Sequence, residues 1–303
     1  MNDNKIYKVI VWGSGSVYNS HLFRLRHMEA EEGIEVIGIY SNSLVYGRYL
    51  DGYPILSRQD VQTLQHDYLF LMSDKYEADI IQDYIVLGGD RRKVVPSRVL
   101  DIPYLTFSRY LQIRNSRFSI FSETCYAGIL YYRLGLEVLS PLKDMWMTPE
   151  DYFRLLDHLD YYMSFSPVLS HMEGVNSAYD SPNHPVLRLD DIYLHYNHTD
   201  DPDQAIKAWD TRKQRINYNN ILVTFFAQDP NLEDAFYKAK KYQRRICFTA
   251  FPSVREDSVF IPKEHGSMYI SEFHWTARPY GNLLDIYSLF YGNVRYRRSL
   301  TEH

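Results

Sequence analysis

Two cysteines in 303 residues, Cys125 and Cys247, are too few for a disulfide framework, and they stand far apart with none of the paired spacings of a structural metal site. No apolar run approaches the length of about 18 residues that a membrane-crossing helix needs, and the opening Met1-Asn2-Asp3-Asn4-Lys5 lacks the apolar core of a secretory signal. Charge of neither sign dominates. Lys and Arg number 33 against 38 Asp and Glu, and the basic residues are scattered, so the electrostatic footprint of a nucleic-acid or anionic-membrane binder is missing. The densest basic group, Arg295-Tyr296-Arg297-Arg298, is short and reads as a solvated end. Internal repeats and low-complexity tracts are also lacking. These absences lead us to expect a cytoplasmic protein with a small-molecule partner, no nucleic acid and no membrane insertion.

What the chain has in quantity is aromatic residues, 28 Tyr and 15 Phe. Tyrosine joins a flat apolar face to a hydroxyl, which suits sugar or base stacking and equally suits half-buried packing. The length exceeds that of a usual single domain and predicts two. From Ile6 to about Asn115, short apolar runs alternate with helical periods, the pattern of βα units around a parallel sheet. Strands are expected at 7–12, 34–40, 68–72 and 93–95, with helices at 16–31, from 58, and at 75–87. The pattern restarts at Phe118-Ser119-Ile120-Phe121-Ser122. The expected fold is therefore α/β, with a Rossmann-like parallel-sheet domain over 1–114 and a second α/β domain over 115–303.

In the second half, Thr148-Pro149, Asp201-Pro202 and Asp229-Pro230 each put a capping oxygen before a proline at the first helical position. Asp151 and Gln204 follow their caps by three residues, the spacing of a capping box. Strands are expected at 191–196, 221–226 and 246–251, while Ser164 to Pro185 reads as loose chain.

The run VIVWGSGSVY (9–18) takes a strand into a glycine-rich turn. A dinucleotide fingerprint needs a third glycine and an acid about 20 residues on. Here Tyr18 stands in the third position and Ser41-Asn42-Ser43 follow the second strand, which argues against NAD. Gly13 and Gly15 still free backbone amides at a helix N-terminus to face an anion, with the Ser14 and Ser16 hydroxyls beside them. A tight strand-to-helix turn needing glycine for backbone geometry alone is the alternative.

VIVWGSGS (9–16), EVIGIYSNS (35–43) and DGYPILS (51–57), in this order, resemble the N-terminal Rossmann-like domain of bacterial sugar O- and N-acyltransferases. That resemblance implies a nucleotide-sugar facing Gly13, Ser14, Gly15 and Ser16. The six-residue period of the acyltransferase β-helix is lacking, so the acyl-transfer machinery does not carry over. The second half, in FSIFSETCYAGILYYRLGLEVLSPL (118–142), DDIYLHYNHTDDPDQAIKAWDTRKQRIN (190–217) and RRICFTAF (244–251), resembles a bacterial family labelled exopolysaccharide-biosynthesis proteins, which brings no assigned residue roles.

The polar constellations of this half are read from their own chemistry. Ser122-Glu123-Thr124-Cys125 falls between a strand and a helix, where α/β sheets gather ligands. The Ser122 and Thr124 hydroxyls are candidates for substrate hydrogen bonds or for capping. Cys125 lacks a base in its own segment and reads as a packed thiol. In Asp190-Asp191-Ile192-Tyr193-Leu194-His195-Tyr196-Asn197-His198, the residues Asp191, Tyr193 and His195 share one strand face and form a candidate catalytic set. In an extended strand His195 and His198 point to opposite faces and cannot share a metal unless the strand ends between them. The alternative is an Asp190-Asp191 turn with a structural His195. On the next helix Trp209 and Arg212 share a face with Arg215 one turn on, a candidate phosphate or sugar-acid clamp unless Arg212 pairs with Asp190 or Asp191.

Together these readings predict a glycosyltransferase-like protein of polysaccharide synthesis that holds a nucleotide-sugar or sugar phosphate between its domains, with Mg or Mn as the conceivable cofactor. A non-catalytic nucleotide-sugar-binding or scaffold module and, further off, an NAD-dependent oxidoreductase are the competing classes.

Overall fold

Val9 to Trp12 are almost wholly withdrawn from water, and they form the end of the strand around which the first half of the chain is built. The structure is a computed structural model that describes residues 5–103, 105–174, 182–238, 242–255, 257–261 and 285–292. His265-Gly266-Ser267, Phe273-His274-Trp275 and the Arg295–Arg298 group lie outside them. The chain divides into two compact units, residues 1–111 with 133–135, and residues 112–132 with 136–303.

In the first unit, β1 (Tyr7–Trp12) pairs in parallel with β2 (Ile34–Tyr40) on one side and β5 (Tyr68–Leu71) on the other, and β6 (Val94–Pro96) extends the sheet. Among the strands of this sheet the order β2-β1-β5-β6 runs second-first-third-fourth, a doubly wound parallel order whose switch point lies between β1 and β5. Helix α1 (Ser16–Glu31) links β1 to β2, and α3 (Glu77–Val86) links β5 to β6. Because α1 carries the chain to one side of β1 and β5 lies on the other, a crevice opens beyond the carboxyl ends of β1 and β5. Between β2 and β5 the hairpin of β3 (Tyr49–Leu50) and β4 (Tyr53–Pro54) turns on Asp51-Gly52, both at positive φ as a two-residue turn requires. Helix α2 (Arg58–Thr63) follows. Its reciprocal cap, unmarked in the sequence reading, has Ser57 Oγ accepting from the Asp60 amide at 3.1 Å and the Asp60 carboxylate accepting from the Ser57 amide at 2.8 Å. The boundary between the units falls within α4 (Phe107–Ser116).

The second unit carries a parallel sheet of β7 (Ser119–Ser122), β11 (Ile221–Ala227), β12 (Arg244–Thr249) and β13 (Ser258–Phe260), in the order β13-β12-β11-β7. Helices α5 (Tyr126–Arg133), α6 (Pro149–Asp157), α7 (Leu159–Met163), α8 (Pro202–Lys213), α9 (Pro230–Lys238) and α10 (Ile286–Tyr291) are interspersed with the strands. An antiparallel sheet of β8 (Val168–Gly174), β9 (Asn183–Leu189) and β10 (Ile192–His195) completes the unit. The α/β class expected for both halves is what the two parallel sheets show. The 164–185 stretch corrects the sequence reading, since β8 and the start of β9 occupy it. β8 is exposed or half-exposed along its length, so no burial alternation marks it as a strand.

The three proline caps form as expected: Thr148, Asp201 and Asp229 each accept from amides in the first turn. Their boxes do not close. Asp151 turns instead to the Tyr193 amide at 3.2 Å, and the Gln204 side chain accepts from the Thr199 hydroxyl. In each pair a competing donor takes the second side chain, a long-range amide for Asp151 and a neighbouring hydroxyl for Gln204. Replacing an N-cap serine costs about 1 kcal/mol, so Ser57→Ala is expected to lower the urea midpoint of the first unit with an unchanged m value.

Candidate functional site

The glycine turn of the first unit opens onto a cavity of about 760 Å³ lined by Gly13 to Val17, by Ser41 to Ser43 after β2, and by Met72 to Tyr76 after β5. Gly13 is required there on two counts. Its φ is +118°, and a Cβ would stand 2.7 Å from the Met72 carbonyl oxygen. Gly15 differs: its φ is ordinary at −86° and nothing lies within 4 Å of where its Cβ would be. It caps α1 with no side chain of its own in the way, so the first amides of the helix face the cavity. Ser14 and Ser43 hydroxyls approach at 3.4 Å, and Ser41 and Ser43 at 3.0 Å. Asp74, Asp79, Asp83 and Lys75 also line the cavity.

Tyr18, in the place of a fingerprint glycine, is fully buried, and its hydroxyl donates to Asp51 at 3.0 Å. About two and three turns along α1, Arg26 lies 4.0 Å from the Tyr53 ring and Glu29 accepts from the Tyr53 hydroxyl. The helix thus uses the position to hold the β3–β4 hairpin.

In the second unit the carboxyl end of β7 delivers Glu123 and Cys125. Glu123 is buried, its carboxylate accepting from the Phe226 amide at 2.8 Å and from the Ser122 hydroxyl at 3.2 Å, and burial pushes its carboxyl up to about 7 against these hydrogen bonds. Cys125, half-buried at the start of α5, has its Sγ 2.9 Å from His198 Nε2 and 3.8 Å from Asn197 Oδ1. A thiol beside an imidazole at a helix N-terminus is the arrangement that activates a nucleophile. Cys247 is its opposite, fully buried in β12 with its thiol pushed well up by desolvation.

A third cluster joins the antiparallel strands. Glu173 of β8 is directly opposite His184 of β9, and His195 of β10 is opposite Val186. His195 Nδ1 stands 2.8 Å from Glu173 Oε2, and His184 Nε2 stands 3.4 Å from the same oxygen. The Trp146 ring stacks on His195 with centroids 3.7 Å apart. Burial lowers the imidazole of His195 below its ordinary range, partly offset by Glu173.

Residues 97–287, which carry both the Cys125 and the Glu173 clusters, match the family model described as Domain of unknown function (DUF1919). The chain belongs to the DUF1919 family. Residues 5–95, with the glycine-turn cavity, match the model described as C2185-like, N-terminal. A protein of Haemophilus influenzae described as uncharacterised is 20% identical over 186 residues, which are 59% of this chain and 86% of that one. A solved Yersinia pestis structure titled as a candidate oxidoreductase is 15% identical and covers 63% of each chain. Its TM-score of 0.25 carries no argument about fold or activity.

Within this DUF1919 chain the residues singled out from sequence disperse. Gly13, Ser14, Gly15 and Ser16 do line one cavity. Asp191 and His195 do not come together. Asp190-Asp191 is the two-residue turn between β9 and β10, and Asp190 has φ 56°. The Asp191 carboxylate takes the Tyr162 hydroxyl at 2.6 Å and Arg154 at 3.3 Å, about 13 Å of extended chain from His195. Ser122 and Thr124 bond within their own turn, Ser122 to Glu123 and the Thr124 amide, and Thr124 to the Tyr126 amide. Trp209 is fully buried and donates its indole N–H to the Phe165 carbonyl at 3.2 Å, so it serves the core. Arg212 reaches the Lys143 carbonyl at 2.7 Å rather than Asp190 or Asp191, and Arg215 lies exposed beyond the end of α8. The strand does end at His195, which sends His198 to Cys125 and leaves His195 with Glu173. His198 as a partner of Cys125 was missed because 73 residues separate them; the signal on offer was a cysteine at a strand-to-helix turn with a histidine just beyond a later strand.

Glu123 yields a pH dependence. In the unfolded chain its carboxyl ionises near 4.5, and in the fold it keeps its proton to about 7. Its contribution to stability is full below pH 4.5 and is lost as pH rises through 7, by about 3 kcal/mol. Glu123→Gln keeps an acceptor oxygen for the Phe226 amide and presents an amide N–H to the Ser122 hydroxyl, which can accept as well as donate, so the variant should match wild type in thermal unfolding at pH 5 and exceed it at pH 8.

Proposed function

We propose that the protein binds a nucleotide-sugar or sugar phosphate in the glycine-turn cavity and acts in cytoplasmic polysaccharide synthesis as a glycosyltransferase-like protein. The observation that carries the reading is the open end of α1 at Gly15, a helix N-terminus with no side-chain cap facing a cavity of about 760 Å³. Small-molecule sites run from about 300 to 1,000 Å³, and helix N-termini attract phosphate. The hydroxyls of Ser14, Ser16, Ser41 and Ser43 add neutral donors, while Asp74 and Asp79 offer acceptors for sugar or ribose hydroxyls. The resemblances of 9–57 to sugar acyltransferases and of 118–251 to exopolysaccharide-biosynthesis proteins supply the sugar and the pathway class. Among the described residues no helix is long and apolar enough to cross a membrane. Tyr18 and Ser41, in place of a glycine and an acid, weigh against NAD.

Gly15→Leu tests this site, because its side chain would enter open space. Wild type should show a thermal shift with at least one UDP-, GDP- or CDP-sugar, and the variant should lose the affinity at least tenfold while unfolding at the same temperature. No shift with any of them, with or without Mg²⁺ or Mn²⁺, removes the reading. Binding without turnover assigns the protein to the non-catalytic class.

The Cys125–His198 distance favours a second reading, covalent group transfer through a thiolate. Cys125 Sγ would attack the acyl carbon of a donor ester or thioester as His198 Nε2 takes the thiol proton and returns it to the departing alcohol or thiol; a hydroxyl acceptor would then attack the acyl-Cys125 thioester, its proton passing through His198 to the expelled Cys125 thiolate. Iodoacetamide should alkylate Cys125 faster than Cys247, and His198→Ala should slow Cys125 at least tenfold at pH 7. Equal rates in wild type and variant would exclude the pair as a nucleophile and base.

A further inference from the structure

We propose that Glu173, His184 and His195 form a zinc-type metal centre on the antiparallel sheet of the second unit, a site independent of the glycine-turn cavity. Three adjacent strands supply one ligand each. Glu173 and His184 are cross-strand partners, and His195 sits diagonally from His184, since its own partner Val186 is two residues further along β9. One donor atom from each of the three residues lies within 4.8 Å of the other two.

A hydrogen-bonded ion triad accounts for only part of this geometry. His195 makes a directed 2.8 Å contact with Glu173 and would be satisfied by it. His184 would not. Its side chain is fully buried, and neither ring nitrogen has a hydrogen-bond partner; the 3.4 Å approach of Nε2 to Glu173 Oε2 is not aligned for a hydrogen bond. A buried polar group left unmatched destabilises the fold, and His184 is aimed with Nε2 into the cluster. A cation accepts the Nε2 lone pair from a direction in which a hydrogen bond fails.

The ligand chemistry narrows the ion. Two imidazoles and one carboxylate suit zinc and its neighbours, whereas magnesium and calcium prefer oxygen ligands. Three protein ligands leave the fourth tetrahedral position to water, the pattern of catalytic rather than structural zinc. Glu173 is about one-third exposed at 32% and His195 12%, so the cluster has an open side toward solvent. Trp146, stacked on His195 at 3.7 Å, fixes the plane of the ligating ring. Zinc requires both imidazoles neutral, so binding displaces any proton that Glu173 shares with them.

The test uses the full chain stripped with EDTA and titrated with Zn²⁺ against a competing chelator, with bound metal counted by mass spectrometry and Co²⁺ substituted as a spectroscopic probe. We expect one Zn²⁺ per chain, a tetrahedral Co²⁺ spectrum without thiolate bands, and Mg²⁺ at least a hundredfold weaker. Glu173→Gln, a substitution at a partly exposed position, should weaken Zn²⁺ at least tenfold with the metal-free unfolding temperature unchanged; His195→Ala should weaken Zn²⁺ at least as much and also lower the unfolding temperature, because it removes the ring stacked on Trp146. Cys125→Ser should leave stoichiometry and affinity as they were. Absence of stoichiometric zinc overturns the proposal. So does zinc that survives Glu173→Gln and His195→Ala, or zinc that is lost in Cys125→Ser, which would move the ion to the Cys125–His198 pair.

Discussion

The second unit is organised around three residues that stitch its two sheets together. The Met147 amide donates to the Glu123 carbonyl at 2.8 Å, and Trp146 exchanges both backbone hydrogen bonds with His195, each at 3.0 Å. Residues 145–147 therefore run between the carboxyl end of β7 and the end of β10. The Cys125 group and the His195 side of the Glu173 cluster follow from that stitch, while the β8–β9 register supplies Glu173 and His184. The stitch brings the Met145 carbonyl to 3.8 Å from Cys125 Sγ, lays the Trp146 ring on His195, and sets Tyr196, Asn197 and His198 to continue past β10 toward the start of α5. Backbone hydrogen bonds are suited to this task because a withdrawn amide or carbonyl must find a partner, and the only ones in reach fix the register.

Such a junction buries polar chemistry, and the chain handles it with hydroxyls. Tyr152 donates to the Thr224 carbonyl at 2.9 Å, Tyr131 to the Phe118 carbonyl at 3.1 Å, and Tyr242 to the Leu156 carbonyl at 2.7 Å. Elsewhere the acceptors are carboxylates: Asp51 for Tyr18, Glu29 for Tyr53, Asp190 for Tyr161 and Asp191 for Tyr162. In each case the hydroxyl tethers a second element, and all but the half-exposed Tyr161 also bury the ring in the packing. These tyrosines thus have a structural use in both units.

Much of the architecture was legible in the sequence because it rests on local rules. The strands 7–12 and 34–40 and the helix 16–31 coincide with β1, β2 and α1, since continuous apolar runs and the intervening helical period are visible one residue at a time. Proline at the first helical turn marked α6, α8 and α9 equally well. β8 was illegible because an exposed strand shows no burial alternation, and the Ser57–Asp60 cap went unread beside the more conspicuous proline caps. The candidate groups divide in the same way. Gly13 to Ser16 form one continuous turn and were readable together. Asp191 and His195, read as one face of a strand, separate because a left-handed Asp190 makes Asp191 part of the hairpin turn, where Tyr162 and Arg154 take its carboxylate.

By itself the sequence determined the α/β class, the glycine turn with its departures from a dinucleotide fingerprint, and the starts of most helices, because these depend on residues within a few positions of one another. Only the tertiary structure decided which side chains share a site. It paired Cys125 with His198 across 73 residues, grouped Glu173 with His184 and His195 across three strands, and withdrew Trp209 into the core. The physical reason is that strand register and the end of a strand set side-chain direction, and both are fixed by long-range hydrogen bonds such as those of Trp146 and Met147, which leave no periodic trace in the chain.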